Sequence, residues 1–208
     1  MVRTGAITAC SRPGDLAEQP PIDDLWQSQQ AAAGDVREWN LYARAALRLE
    51  GEAYNIGIRW QRWRDGRFMI LLEAPFGQGV FRIDSNEPGV YRLLLPDGQS
   101  FENTTAEALL EDAVGWSLPI SGLDFWIRGL PHPQSAYSHR LDSRGRARSI
   151  RQDGWDIDYL DYEAAPDGLQ LPRRMRLVDD PVTFKLVIEH WQPPSSENSN
   201  ADLFPSFN

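Results

Sequence analysis

Tyr42-Ala43-Arg44-Ala45-Ala46-Leu47-Arg48-Leu49 and, shortly after, Tyr54-Asn55-Ile56-Gly57-Ile58-Arg59-Trp60-Gln61 decide the fold class. In the first run Ala43, Ala45, Leu47 and Leu49 alternate with Tyr42, Arg44, Ala46 and Arg48. In the second, Tyr54, Ile56, Ile58 and Trp60 alternate with Asn55, Gly57, Arg59 and Gln61. A period of two sets an apolar face against a wet one, as in a half-buried antiparallel strand. Phe68-Met69-Ile70-Leu71-Leu72 is continuously apolar and reads as a strand covered on both sides. Outward from these, strand patterns recur at 80–83, 90–95, 99–102, 139–142, 147–152, 155–162, 174–178 and 182–191. Arg64-Asp65-Gly66, Pro96-Asp97-Gly98 and Ser143-Arg144-Gly145 supply tight hairpin turns between them.

Helical spacing is confined to three places. Leu25, Gln29, Ala32, Val36 and Trp39 predict a helix from Asp24 to Trp39, behind an Asp23/Asp24 cap. Thr104-Thr105-Ala106-Glu107 reads as a capping box, with the Thr104 hydroxyl taking a free N–H and Glu107 reaching back. Ser121 caps a third helix, whose stripe is Leu123, Trp126, Ile127 and Leu130. About eleven strands and few helices give an α+β chain, mainly β: an open antiparallel sheet wrapped around apolar helices. Ala43, Ala45 and Gly57, taken as facing inward, would leave a lumen.

The chain has 208 residues, enough for one ordinary domain. Its 21 basic against 30 acidic side chains give a net charge of -9, which argues against a general nucleic-acid binder. The single cysteine, Cys10, leaves no intrachain disulfide and no cysteine-rich metal site. The single lysine, Lys185, follows no glycine-rich loop, so a P-loop nucleotide site is absent. His132, His139 and His190 lack metal-ligand spacing, and Gly115-Trp116-Ser117-Leu118-Pro119 lacks the second glycine of a hydrolase elbow. Asp156 and Asp158 fall on the polar side of a strand and read as a solvated face. No catalytic residue, cofactor or metal is expected.

Two features point elsewhere. Ile7-Thr8-Ala9-Cys10 has the order of a bacterial lipobox, whose cysteine is acylated. The stretch ahead of it is shorter than a signal peptide's apolar core of about 7–15 residues, as expected of a trimmed sequence or a start placed too far downstream. Pro75-Phe76-Gly77 puts an aromatic ring in the turn between two strands, where polar residues are usual. Residues 1–22 are then a truncated lipoprotein signal and tether, 23–192 the folded domain, and 193–208 a disordered tail.

In order along the chain stand Trp26, Trp60-Gln61-Arg62, Pro75-Phe76-Gly77, Gly115-Trp116-Ser117-Leu118-Pro119-Ile120, Leu123-Asp124-Phe125-Trp126-Ile127-Arg128-Gly129-Leu130-Pro131, Gln152-Asp153-Gly154-Trp155 with Tyr159, and Leu171-Pro172. Together they resemble the LolB family of outer-membrane lipoprotein receptors. The resemblance implies an open half-barrel of eleven strands enclosing a hydrophobic cavity. It implies a lipid anchor at Cys10 and a membrane-insertion loop at Pro75, Phe76 and Gly77. Stripe parity and the family motifs together nominate Ile56, Ile58, Trp60, Ile70, Leu72, Trp126, Ile127 and Trp155 as acyl-cavity residues. The implied partners are a LolA-like periplasmic carrier, acylated lipoprotein cargo and the inner leaflet of the outer membrane, with the chain a monomer lipid-anchored at that membrane and facing the periplasm. A related lipid carrier or lipoprotein sensor, an envelope hydrolase and a structural lipoprotein remain as alternatives.

Overall fold

The structure is a computed structural model that describes residues 20–49, 51–73, 79–87, 89–114, 118–165 and 168–192. Helix α1 (Ile22–Gly34) precedes six strands, β1 (Trp39–Leu49), β2 (Glu52–Arg62), β3 (Phe68–Glu73), β4 (Val80–Glu87), β5 (Val90–Leu94) and β6 (Ser100–Asn103). Helices α2 (Ala106–Val114) and α3 (Ile120–Trp126) follow. Five strands complete the chain: β7 (Tyr137–Leu141), β8 (Ala147–Gln152), β9 (Trp155–Ala164), β10 (Gln170–Asp179) and β11 (Val182–Gln192). The eleven strands form one open sheet in the order β6-β5-β4-β3-β2-β1-β11-β10-β9-β8-β7. Every pairing is antiparallel, and of the ten neighbouring pairs only one joins strands remote in sequence, β1 with β11. There Ala43 lies opposite Ile188 and Leu47 opposite Phe184.

The alternation in β1 holds in space. Ala43, Ala45 and Leu47 are buried while Arg44, Ala46 and Arg48 are exposed. In β2 it holds only where the strand has neighbours on both sides. Ile58 and Trp60 are buried, but Tyr54, expected on the same apolar face, is 39% exposed. The β2–β3 ladder begins at Gly57 opposite Glu73, so among the described residues Glu52–Ile56 pairs with β1 alone. Gly57 also departs from expectation. It lies on the outer face, where a Cβ would come within 3.1 Å of the Glu73 carboxylate. That carboxylate is ion-paired with Arg59, so Gly57 makes room for an external ion pair and not for a lumen.

The helix ends differ from the sequence reading for local reasons. α1 stops at Gly34, with the Asp35 N–H donating to the Ala31 carbonyl, and Trp39 instead opens β1. Its N-cap is Pro21, which leaves Asp23 and Asp24 inside the first turn, where they face the helix dipole. α2 is capped by Thr105, not Thr104: the Ala108 N–H donates to Thr105 Oγ1 at 3.1 Å. Glu107 accepts the Ser121 N–H at 2.7 Å and so ties α2 to the start of α3, whose own N-cap is Pro119.

α1 lies against the β7–β8 end of the sheet. Trp26 is buried and its ring stacks on His139 at 5.2 Å. The turn after β7 comes so close that a Cβ on Gly145 would fall 2.3 Å from Leu25 Cβ and 2.8 Å from the Leu25 carbonyl carbon. Gly145 also has φ at +72°, a conformation that costs a side chain about 1–2 kcal/mol. Overpacking adds about 1–3 kcal/mol. Gly145→Ala is therefore expected to lower unfolding free energy by about 2–5 kcal/mol, read from the urea midpoint. An unchanged midpoint would mean that α1 does not rest on this turn.

Candidate functional site

The concave face is apolar because the inward residues of the central strands are. Leu41 from β1, Ile58 and Trp60 from β2, Ile70 and Leu72 from β3, and Phe184 and Leu186 from β11 converge there. α3 and the residues flanking it close over them with Leu118, Ile120, Leu123 and Ile127. Between the two layers lies a cavity of about 20 Å³, lined by these eleven side chains, all of them apolar. It has room for one water-sized group and offers it no hydrogen bond.

Five of the eight expected cavity residues meet at this wall: Ile58, Trp60, Ile70, Leu72 and Ile127. Ile56 is half-buried and packs against the same core further along β2. Trp126 is fully buried but lies beyond the wall, its ring over Gly122 and its Nε1 donating to Gln152 Oε1 at 2.9 Å. Helical parity put Trp126 on the stripe; the contact with Gln152 turns it toward the β8–β9 turn. Gln152 is itself a node, accepting the His132 N–H and donating to the carbonyls of His132 and Ser135. Trp155 lines a second space, described below. Six lining residues lie outside the expected set: Leu41, Leu118, Ile120, Leu123, Phe184 and Leu186. Leu41 stands opposite Trp60 in the β1–β2 pair, just ahead of Tyr42, where the alternation in the sequence begins. Phe184 and Leu186 come to the site through the β1–β11 pairing, which joins the two ends of the domain. Cys10, Pro75, Phe76 and Gly77 lie outside the described residues, as do Gly115, Trp116 and Ser117.

Beside the cavity runs a groove of about 700 Å³, bordered by Trp60, Arg62, Phe68, Tyr91, Asp124 and Trp155 among others. Where it meets α3 it contains a buried charge cluster. Arg62 Nη1 donates to Asp124 Oδ2 at 2.7 Å, and Arg128 Nη2 lies 3.6 Å from the same oxygen. Arg128 is only 4% exposed, donates from Nε to the Asp124 carbonyl at 3.0 Å and reaches the Val36 carbonyl at 3.2 Å. Both guanidiniums sit over the Trp39 ring, at 5.2 and 4.9 Å from its centre. The cluster thus fastens α3 to β2 and to the segment following α1. Burial pushes the Asp124 carboxyl above the usual carboxylate range, against the pull of Arg62 and Arg128. Burial likewise lowers Arg128, with Asp124 opposing.

Residues 37–191 match the family model described as outer membrane lipoprotein LolB. The chain belongs to the LolB family. An outer-membrane lipoprotein LolB from Chromohalobacter salexigens is 33% identical over 192 residues, covering 92% of this chain and 88% of its own. A LolB from Nitrosococcus oceani is 39% identical over 168 residues, 80% of this chain and 82% of its own. Among solved structures the fold is shared with an outer membrane lipoprotein-sorting protein domain from Vibrio parahaemolyticus, at TM-score 0.53 and 10% identity over 85% of this chain and 94% of that one. It is shared too with a LolA superfamily protein from Nitrosomonas europaea, at TM-score 0.52 and 11% identity over 86% and 99%. LolB membership makes this chain an outer-membrane lipoprotein concerned with lipoprotein localisation, and not an enzyme.

The buried Asp124 carboxyl couples folding to pH. Its folded value lies above the ordinary 3.8, so the stability tied to its protonation is complete below that value and is lost as pH rises through the folded one. Wild type is therefore expected to gain stability relative to Asp124→Asn as pH is lowered from 7 toward 4. Paired urea titrations at each pH measure it. A difference that moves the other way would mean that the two arginines outweigh burial.

Proposed function

We propose that this LolB-family chain receives acylated lipoproteins from a soluble periplasmic carrier, holds their chains between the concave sheet and α3, and releases them into the inner leaflet of the outer membrane without ATP. The observation that carries this reading is the wholly apolar cavity beneath α3. A hydrolase cleft would need titrating polar groups at this wall. An acyl chain transferred through water costs about 0.8 kcal/mol for each exposed CH₂, tens of kcal/mol for three long chains. A cavity of about 20 Å³ does not hold such a chain, so acceptance requires α3 to lift.

Direction follows from affinity, because a ligand moves an equilibrium only by its differential binding. The chains are held more loosely in the carrier, more tightly here and most tightly in the bilayer. Phe76, between Pro75 and Gly77, enters the leaflet as the cargo leaves, while Cys10 supplies the lipid anchor.

Phe76→Glu is expected to fold normally and to take up triacylated cargo, yet to fail to deliver it to phospholipid vesicles. Delivery at the wild-type rate would overturn the loop's role. The cavity is tested separately with a fluorescent fatty acid displaced by triacylated lipopeptide. Leu72→Asn puts an amide against the chain at a cost of about 1–3 kcal/mol, so affinity should fall by about five-fold or more. A wild-type protein that binds neither ligand would overturn the reading.

A further inference from the structure

The groove of about 700 Å³ and the apolar cavity share two wall residues, Trp60 and Ile120. A ligand whose chains fill the cavity therefore has its next atoms in the groove. Among the described residues six buried side-chain polar atoms lack a hydrogen-bond partner, and three of them belong to this seam: Trp60 Nε1, Arg62 Nε and Asp124 Oδ1. Native proteins leave few buried polar atoms unpaired. Two of the three residues are adjacent on one face of β2, and the third is joined to Arg62 through its other carboxylate oxygen at 2.7 Å. Two donors and one acceptor are thus held together at the place where the dry space ends.

Building on the function proposed above, we propose that this seam binds the polar junction of the cargo: the ester and amide groups that link the acyl chains to the acylated cysteine. Ester and amide carbonyls accept from Trp60 Nε1 and Arg62 Nε, and the amide N–H donates to Asp124 Oδ1. When α3 lifts, Asp124 moves away from Arg62 and the cargo junction takes up the released hydrogen bonds. The charge of the groove selects among lipid head chemistries. Arg62 and Arg128 share Asp124, and Glu107, Asp153 and Asp179 add more negative charge around the same space than that leaves positive. A neutral ester or amide enters such a groove more readily than a phosphate or a free carboxylate.

Trp60→Phe removes one donor while keeping an aromatic ring, and Arg62→Met removes the other while keeping an unbranched side chain. Both are titrated with a tripalmitoylated cysteinyl peptide and with diphenylhexatriene, a hydrocarbon fluorophore that has no carbonyl. Each variant should lose about five-fold or more in lipopeptide affinity beyond any change in its diphenylhexatriene affinity, the worth of one hydrogen bond. Retained diphenylhexatriene binding also shows that the variants are folded. Equal loss of both ligands would reduce the seam to a structural role, and equal gain would make Arg62 only a clasp on α3; either overturns the proposal. So would unchanged lipopeptide affinity, which would leave the cargo reading standing. In competition, monopalmitin should displace the lipopeptide better than palmitate, and the reverse order would overturn the selectivity. Wild type that binds neither lipopeptide nor diphenylhexatriene would remove the cargo reading and this one together.

Discussion

The two edge strands of the open sheet, β6 and β7, are consecutive in the chain, and the whole of the described helix pair α2–α3 lies in the connection between them. A connection that leaves one edge of a curved sheet and must reach the other crosses its open face. The helices are therefore carried over the concave side by topology before any side chain is considered. Packing then fixes how closely they sit. Leu41, Ile58, Ile70, Phe184 and Leu186 would face water without α3, and each such side chain gains about 1.5–3 kcal/mol from cover. A cover tied at both ends can lift without being lost, whereas a free helix that left the face would have to find it again.

What holds α3 down is unusual for a cover. Asp124 is 7% exposed and lies between Arg62 and Arg128. Buried ion pairs contribute little net stability, because removing the charges from water costs about as much as their attraction returns. Apolar residues in their place would hold the helix at least as firmly. Ion pairs, however, have sharply preferred geometry, and Arg128 also bonds to carbonyls at the end of the first helical segment, Ala33 and Val36. The cluster therefore specifies where α3 sits more than how tightly it is held. That combination suits a part that returns to one place after moving.

How far the sequence could be read depends on whether a feature is local. The alternation of Ala43, Ala45 and Leu47 and the turn at Ser143-Arg144-Gly145 are set by neighbours in the chain, and eleven strands follow from such patterns. Parity says which residues share a face but not where that face has cover, so Tyr54 was placed inside and is exposed. Gly57, an expected lumen residue, shares the outward parity of Arg59, and its small size serves Glu73 across the strand pair. Thr104 and Thr105 are chemically equivalent caps, and only the helix start distinguishes them. The cavity was legible in part because Ile58, Trp60, Ile70 and Leu72 lie on adjacent hairpin strands. Phe184 and Leu186 reach it only through the pairing of the first strand with the last, which no local pattern encodes. The Arg62–Asp124–Arg128 cluster is not legible because Arg62 lies 62 residues before Asp124 on another element, and no local pattern joins them.

Closure has a consequence for the proposed transfer. A binding site that is open only part of the time has its apparent affinity reduced by the open fraction. The apolar wall alone would hold three acyl chains with most of the tens of kcal/mol that water costs them, and cargo held so tightly would not move on to a bilayer. Work spent on parting α3 from the sheet and Asp124 from Arg62 subtracts from that affinity. A receptor of the proposed kind could then hold cargo more tightly than a carrier does and still less tightly than the membrane. On this view the near-absence of space beneath α3, about 20 Å³, is not at odds with a lipid-binding role. In the proposed transfer, the cost of opening that space would set the chain's rung on the ladder of affinities.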